Sequence, residues 1–488
     1  MFKRLATIIL TLALLLSVVS TASANVIDPS LVPEKTGEIT VYLYGDKTPR
    51  MQELCENEFA EIFLKEINCV VNVEFIPWSE YGSGNMTDRM ILSGEDFDAT
   101  ITDDQWTMQS YNKGYVMNVK DLIDNYMPHY KAVTNPQSLV NYTYPDGGMY
   151  AIPFGNKPTA DTFRTVCVRQ DLLEEVGMTS ISTVEELKQF VSLVHEKHPE
   201  MYATMDYVIP GFILRGIGDR NLTEIATGLW IDELTGEVVP VVDSPEFKEL
   251  CNLFGEWYAE GLISKDILTN TTSNNVLFES GNYMFWRGTC GTTVYENLPN
   301  LQKVVPTAQT AEYFLGGDKP KFKTSYENTA WQIPVTSENA VYVALFIDLL
   351  CTEEYVNMFA YGVEGVDYTV NNGKVHRINT SELFYDWMMF NSNISLFPEA
   401  MPDDFIPTYQ AWDEGSLPSK KLGLAINYDE IKTEYAQISA VWSEYAMPLM
   451  AGAVSYDEGI ETLKTKLVEA GWDKYVDAIT TQVAEHLK

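Results

Sequence analysis

Between residues 38 and 102, three short apolar segments alternate with two segments of helical periodicity. The segments 38–44 (EITVYLY), Cys69–Ile76 (CVVNVEFI) and 97–102 (FDATIT) are predicted strands, and 51–67 and 86–92 are predicted helices. Strands that alternate with helices in this way form a parallel sheet with helices on its faces. The sequence therefore predicts an α/β fold whose ligand crevice lies beyond the carboxyl ends of these strands.

A second α/β pattern begins with the apolar segment 163–168, and the last third of the chain is mainly helical. Thr183 and Glu186 have the spacing of a capping box, which predicts that a helix begins at residue 184. The chain has 488 residues, too many for one ordinary hydrophobic core. We therefore expect two lobes, the second with a helical C-terminal region.

The N-terminus has the pattern of a secretion signal. Lys3 and Arg4 precede an apolar run of about 15 residues, shorter than the roughly 20 that span a membrane. Ala22-Ser23-Ala24 has the small-residue spacing that signal peptidase requires, so residues 1–24 are a predicted signal peptide. Because no cysteine precedes Cys55, we expect no lipid anchor and a soluble, secreted or extracytoplasmic product.

Charge and motif content exclude several classes of function. A formal net charge of −36 repels nucleic acid and anionic lipid, so neither is an expected partner, and neutral or cationic ligands fit better than strongly anionic ones. The chain has no CxxC pair, phosphate-binding loop, dinucleotide-binding glycine motif, GxSxG sequence or complete calcium loop. The sequence His195-Glu196-Lys197-His198 lacks the histidine spacing of HExxH. We therefore predict no catalytic residue, no metal and no cofactor.

The six cysteines do not indicate a disulfide scaffold in a chain of this length. Cys55 and Cys69 are separated by a predicted helix of roughly 15 Å, which exceeds the ~7 Å limit between the Cα atoms of a disulfide. We expect mostly buried, free thiols.

Aromatic and carboxylate residues follow the predicted strands. The first three strands are followed by Tyr44-Gly45-Asp46, by Pro77-Trp78 and by Asp103-Asp104-Gln105-Trp106. Trp286-Arg287 ends a later apolar segment, and Trp331 begins the segment WQIP. Aromatic rings cover the C–H face of a sugar, and Asp and Gln bond its hydroxyl groups. These residues predict a site for a polyhydroxylated ligand.

Several segments together resemble the extracellular solute-binding proteins of bacterial ABC importers, of the carbohydrate or oligosaccharide type. They are residues 97–122, 168–199 and 247–263, WQIP with the apolar helix after it, and 361–375 (YGVEGVDYTVNNGKV). Their order and spacing match nearly the whole chain after residue 24. Gly362 and Gly365 of the last segment are expected to serve a helix end and a turn.

The resemblance implies a periplasmic-binding-protein-like fold of two α/β lobes joined by a hinge. The first lobe would contain residues 25–156 and about 331–375, and the second residues 157–330 and about 376–488. It also implies a monomer that captures a neutral oligosaccharide between the lobes and delivers it to the membrane permease subunits of an ABC importer.

Within the family, aromatic residues of the cleft and loops after the first strands usually hold the sugar. The matching positions here are Trp78, Asp104, Trp106, Trp286, Arg287 and Trp331. The four tryptophans are predicted stacking platforms, whereas Asp104 and Arg287 are predicted to orient hydroxyl groups through charge-assisted hydrogen bonds.

Three alternatives fit the same sequence. The first is a secreted glycan-degrading enzyme, because 69 acidic residues are enough to place two carboxylates at a glycosidase separation after folding. The second is a binding protein for peptides, since an aromatic cleft with carboxylates also suits them. The third is a binding protein that presents its ligand to a sensor kinase.

Overall fold

The computed structural model describes most of the chain after the predicted signal peptide. The described residues are 26–77, 80, 85–144, 146–154, 164–205, 209–270, 272, 274–288, 293–323, 329–379, 383–384, 388 and 391–488. The predicted signal peptide (residues 1–24) and Trp78 lie outside them. No helix within these ranges is both long enough and apolar enough to cross a membrane.

The strands of the described residues are short, apart from the first two. They are β1 (Gly37–Tyr44), β2 (Cys69–Ile76), β3 (Ala99–Thr102), β4 (Ile152–Pro153), β5 (Thr165–Arg169), β6 (Leu222–Ala226), β7 (Leu229–Asp232), β8 (Val238–Pro240), β9 (Phe285–Arg287), β10 (Thr310–Phe314), β11 (Phe322–Lys323), β12 (Ala330–Gln332), β13 (Tyr368–Asn371), β14 (Lys374–Arg377), β15 (Phe397–Pro398) and β16 (Leu417–Pro418).

Helices occupy more of the described chain than strands do. They are α1 (Pro49–Glu56), α2 (Glu58–Ile67), α3 (Met86–Ser93), α4 (Asp104–Asn112), α5 (Lys120–Tyr126), α6 (Pro128–Val133), α7 (Gln170–Glu175), α8 (Val184–Lys197), α9 (Ile209–Leu214), α10 (Pro245–Ala259), α11 (Asn274–Glu279), α12 (Thr293–Val304), α13 (Ala340–Leu350), α14 (Glu353–Tyr361), α15 (Phe405–Glu414), α16 (Lys432–Val441), α17 (Met447–Met450), α18 (Tyr456–Glu469) and α19 (Trp472–His486). Residues Pro136–Tyr142 form a 3₁₀ helix, and a π-helical turn at Trp442–Ala446 joins α16 to α17.

The first lobe contains a five-stranded sheet in the order β2-β1-β3-β12-β4. β1 pairs in parallel with β2 and β3, as the strand–helix–strand pattern predicts, and β12 returns antiparallel between β3 and β4. The helix predicted for residues 51–67 is instead two helices, because Asn57 leaves the helical conformation and its side-chain amide donates to the carbonyl of Glu53.

The second lobe is built around two antiparallel sheets, in the orders β10-β5-β9 and β6-β7-β8. Its helices include α8, where Thr183 and Glu186 form the predicted capping box. The predicted helices of the C-terminal region are present as α16 to α19, and their apolar faces pack into the core of this lobe.

Two large clusters of buried side chains define the lobes. The first draws its residues from 27–154 and 331–388, and the second from 166–315 and 426–483. The predicted two-lobed α/β fold is therefore confirmed. Leu383, Phe384 and Met388 pack in the first cluster, so this core continues past residue 375, where the predicted boundary of the first lobe lies.

The segment after α14 has the structural role that its glycines predict. Gly362 ends α14 with a φ of +87°, and Gly365 has a φ of +82°. A Cβ atom at Gly362 would lie 2.4 Å from Oδ2 of Asp367. The backbone therefore requires glycine here to bring Asp367 under the end of the helix.

Five described cysteines are free, and burial raises the pKa of each thiol. The pKa reaches about 12 at Cys55, Cys69 and Cys251, and it lies well above the ordinary value at Cys167 and Cys351. Since the thiolate is the reactive form, burial makes these groups poor nucleophiles.

We expect these five thiols to resist labelling by a thiol reagent at pH 8 until the protein unfolds. Cys290 lies outside the described residues, so the measurement uses the variant Cys290→Ser. Labelling followed by intact-mass analysis should give almost no adduct in the native variant and five adducts in denaturant. Rapid labelling of the native variant would contradict this burial.

Candidate functional site

The carboxyl ends of the parallel strands meet at one edge of the first-lobe sheet. Tyr44 at the end of β1 pairs with Ile76 at the end of β2. Thr102 at the end of β3 pairs with Ala330 of β12, which in turn pairs with Pro153 at the end of β4. The segments that follow these strands therefore lie side by side, and we call this row the first edge.

Three strand ends of the second lobe also lie side by side. Thr165, the first residue of β5, pairs with Phe314, the last residue of β10. On the other side of β5, Val166 pairs with Arg287 at the end of β9, and the amide of Gly288 donates to the carbonyl of Thr165 over 3.0 Å. We call this row the second edge.

The two edges are connected by residues 155–163 and 324–328, which lie outside the described residues. The chain leaves the first edge at Phe154, enters the second lobe at Arg164, and returns between Lys323 and Thr329. The amide of Phe154 donates to the carbonyl of Thr329 over 3.0 Å, so these two residues, one beside each connecting segment, lie side by side. Phe154 and Thr329 therefore lie at the first edge, and Arg164, which directly precedes β5, lies at the second edge.

At the first edge, the residues after β3 form the beginning of α4. Asp103 caps this helix, because its Oδ1 accepts a hydrogen bond of 2.8 Å from the amide of Trp106. Asp104 is the first residue of α4, and its side chain lies outside the described atoms. Trp106 is partly buried against the hydrophobic core of the first lobe. Its backbone carbonyl accepts a hydrogen bond from the side-chain amide of Asn85. This edge therefore presents a half-buried tryptophan beside a helix N-terminus.

Two of the predicted stacking platforms are core residues. Trp331 is 0% exposed and packs edge-on against Phe346, with ring centroids 5.7 Å apart. Trp286 is 4% exposed and packs against Phe278. A stacking platform needs an open ring face, which neither residue has, so the structure corrects both assignments.

Arg287 lies at the second edge, as predicted, and its side chain is partly exposed. It is joined there by Glu312, whose Oε1 accepts a hydrogen bond of 2.8 Å from the Thr165 hydroxyl. A Cβ atom at Gly288 would lie 2.2 Å from the same Oε1, so glycine allows the carboxylate to approach the backbone at the end of β9. The second edge therefore contains the partly exposed guanidinium group of Arg287 and the carboxylate of Glu312, which is bonded to the buried hydroxyl group of Thr165. Guanidinium and carboxylate groups suit the hydroxyl groups of a sugar.

An aromatic pair at the second edge was missed in the sequence analysis. Phe314 ends β10, and Trp412 on α15 lies with its ring centroid 5.8 Å from that of Phe314. Phe314 is buried and Trp412 is partly exposed. No local pattern could have joined these two residues, because they are far apart in the sequence and β10 was not predicted as a strand.

The acidic side chains do not converge into a metal site in the part of the chain that the structure describes. No three or more His, Cys, Asp or Glu side chains there form a group that could hold a metal ion.

Comparisons with known proteins match the chain along most of its length. It is 23% identical to a carbohydrate ABC transporter substrate-binding protein of Streptococcus pneumoniae, over 92% of this chain and 91% of that protein. A family model described as a domain of unknown function (DUF3502) matches residues 420–488, which form the C-terminal helices.

Two solved structures show the same fold. The N-glycan transport solute-binding protein NgtS of Streptococcus pneumoniae, solved with Man1GlcNAc, has a TM-score of 0.74 and 21% identity, over 92% of this chain and 99% of that one. The alginate-binding protein AlgQ2, solved without calcium, has a TM-score of 0.66 and 19% identity, over 93% of this chain and 99% of that one. The predicted resemblance to solute-binding proteins of ABC importers is confirmed.

Proposed function

We propose that this chain, which has the fold of the solute-binding proteins of ABC importers, captures a neutral oligosaccharide in its interlobe cleft. It then delivers the ligand to the membrane permease subunits of an importer. The observation that carries this proposal is the two-lobed α/β fold, similar to that of the N-glycan transport solute-binding protein NgtS, in which each lobe has an edge of aligned strand ends. The second edge contributes Arg287 and Glu312, and the first contributes Trp106.

The proposed capture mechanism depends on a ligand that forms contacts with both edges at once. The two lobes have separate cores, so a movement of one lobe relative to the other leaves the packing within each core intact. A ligand that contacts both edges binds the closed form more tightly than the open form and shifts the population towards it. Only the closed form brings both lobes into a fixed arrangement, which the permease can recognise.

The charge of the chain supports a neutral ligand. A formal net charge of −36 disfavours an anionic polysaccharide at long range, whereas hydroxyl groups carry no such penalty. The proposal includes a secreted, monomeric protein, released from the signal peptide near Ala24, that binds its ligand without altering it.

The proposal predicts that a neutral oligosaccharide stabilises the protein against thermal unfolding. A ligand present at 100 times its Kd adds about 2.7 kcal/mol to the stability of the folded state. Thermal shift measurements should compare neutral oligosaccharides, including the Man1GlcNAc bound by NgtS, with alginate oligosaccharides and with peptides. We expect a rise in melting temperature with at least one neutral oligosaccharide.

The same samples separate capture from catalysis. Chromatography after prolonged incubation should return the oligosaccharide unchanged, and calorimetry should give one bound ligand per chain. Conversion of the oligosaccharide would support the alternative of a glycan-degrading enzyme. Stabilisation by peptides alone would contradict the proposed ligand class.

A further inference from the structure

A hydrogen bond between Asn141 and Gly423 joins the two lobes directly. The amide of Gly423 donates to Oδ1 of Asn141 over 3.0 Å, and Asn141 is buried. Asn141 lies in the 3₁₀ helix of the first lobe, whereas Gly423 directly precedes Leu424, which packs against the core of the second lobe. This bond therefore ties one lobe to the other in addition to the segments that connect them along the chain.

On the first-lobe side, the bond lies beside the strands at which the chain leaves and re-enters this lobe. Tyr142, the neighbour of Asn141, packs in a small buried cluster with Ala151 and Ala330. Ala151 directly precedes β4, the last strand before the chain leaves the lobe, and Ala330 is the first residue of β12, where the chain returns. The position of Asn141 is therefore set by both of these strands.

On the second-lobe side, a buried carboxylate holds the segment that contains Gly423. Glu233 is 3% exposed, and its two oxygens accept hydrogen bonds of 2.5 Å from the Ser419 hydroxyl and 2.7 Å from the Lys420 amide. The amide of Ser419 donates to the carbonyl of Lys323 over 3.0 Å, and Lys323 ends β11, the last strand before the chain leaves this lobe. The segment is therefore anchored to the second lobe at the place where the chain leaves it.

The backbone conformation of position 423 requires glycine. Gly423 has a φ of +75°, which residues with a side chain rarely adopt. A Cβ atom at this position would lie 3.7 Å from Cγ1 of Val140, the neighbour of Asn141. Val140 of the first lobe therefore also lies close to Gly423, and an apolar side chain stands beside the hydrogen bond.

We propose that Asn141 is a positioning residue, and that its bond to Gly423 is the pivot about which the two lobes move when the ligand is captured. The inference rests on the proposed function and names a residue that guides this movement. Points near the axis of a rotation move least, so a bond beside the ends of the connecting segments persists while the lobes approach each other. A persistent bond limits the arrangements that the ligand-free lobes adopt, so less conformational entropy is lost when the ligand fixes one of them.

Hydrogen exchange at the Gly423 amide tests the pivot in the unaltered protein. We expect this amide to exchange slowly in the ligand-free protein, and to be protected to the same extent when oligosaccharide is bound, because the bond persists in both states. Rapid exchange in the ligand-free protein would overturn the pivot. Protection that appears only with ligand would do the same, since the bond would then form on closure.

A matched pair of variants separates the pivot from the stability of the 3₁₀ helix. Asn141→Ala removes the bond to Gly423, whereas Asn135→Ala removes the cap at the other end of the same helix, where the Asn135 side chain accepts a hydrogen bond of 3.0 Å from the Gln137 amide. Calorimetry measures oligosaccharide affinity, and X-ray scattering measures the radius of gyration of the ligand-free protein. The probe is Man1GlcNAc or, if another neutral oligosaccharide of the thermal screen stabilises the protein more, that compound.

We expect Asn141→Ala to weaken binding about fivefold and to enlarge the radius of gyration, and Asn135→Ala to change neither. Asn141→Asp keeps an acceptor oxygen for the Gly423 amide and should restore both properties. A folded Asn141→Ala protein with the affinity and the radius of gyration of the unaltered protein would remove the pivot and leave the proposed function intact. If Asn141→Ala does not fold, the exchange of the Gly423 amide decides.

The failure of the proposed function has a different signature. An unaltered protein that binds no oligosaccharide of the screen overturns the proposed function. Hydrogen exchange and scattering of the ligand-free protein then still decide whether the bond between Asn141 and Gly423 holds the two lobes together.

Discussion

Replacement of Trp331 with alanine is expected to lower the free energy of unfolding by about 3–5 kcal/mol, the usual range for a large aromatic residue in a core. Trp331 is fully buried in β12, and its ring packs edge-on against Phe346 of α13. Removal of the indole leaves a cavity between the central sheet and α13, which the surrounding helices cannot fill without moving. Denaturant unfolding monitored by circular dichroism measures the loss.

A second substitution at this position tests whether Trp331 also contacts the ligand. Trp331→Phe keeps most of the buried apolar surface and should cost less stability than the alanine variant. Because the indole has no exposed face, we expect the phenylalanine variant to bind oligosaccharide with wild-type affinity. A well-folded Trp331→Phe protein that has lost binding would return this residue to the site.

The first-lobe strands could be predicted because their patterns are long and local. β1 and β2 each have eight residues, and their apolar runs are separated by helical periodicity. Strands arranged in this way must be parallel, so the alignment of their carboxyl ends follows without knowledge of the structure. This is why the sequence could place Asp103 and Trp106 at an edge of the sheet.

The direction of a side chain in a short strand could not be predicted in the same way. β9 and β12 have only three residues each, too few to show the alternation that separates an inward side chain from an outward one. Trp286 and Trp331 therefore had the same local signal as a cleft residue, although both point into a core.

The second edge depends on contacts between distant parts of the chain. Phe314 and Trp412 meet only because β11 pairs with β16, and Glu312 reaches Gly288 only because β10 and β9 flank β5. Composition and periodicity describe neighbouring residues along the chain, so they contain no signal for either pairing. The aromatic and polar groups of this edge became visible only when the strands were placed in order.

Replacement of Asp367 with alanine is expected to destabilise the first lobe by about 3–5 kcal/mol, as is usual when one partner of a buried ion pair is removed. The Asp367 side chain is 0% exposed, and its two carboxylate oxygens accept hydrogen bonds of 3.0 and 2.7 Å from the guanidinium group of Arg50. It also accepts hydrogen bonds from the amide of Val363 and the side chain of Asn379. Alanine leaves all of these donors without this acceptor, and thermal unfolding measures the cost.

The pH dependence of the protein's stability shows whether the charge of Asp367 is the source of this stabilisation. Burial alone would raise the pKa of the Asp367 carboxyl group, but the hydrogen bonds from Arg50, Val363 and Asn379 outweigh burial and hold the pKa below its ordinary value. An unfolded aspartate has a pKa of about 3.9, so the ionised form stabilises the fold fully at neutral pH and this contribution is lost as the pH falls through the lower, folded value.

The variant Asp367→Asn isolates the charge, because it keeps the size of the side chain and one carbonyl acceptor. We expect the difference in melting temperature between the unaltered protein and this variant to stay constant from pH 7 to about pH 5, and to shrink at lower pH as the native carboxylate takes up a proton. The difference in melting temperature could instead be as large at about pH 3.5 as at pH 7 and stay constant at lower pH. In that case packing, and not the ion pair with Arg50, holds the loop of Asp367 against α1.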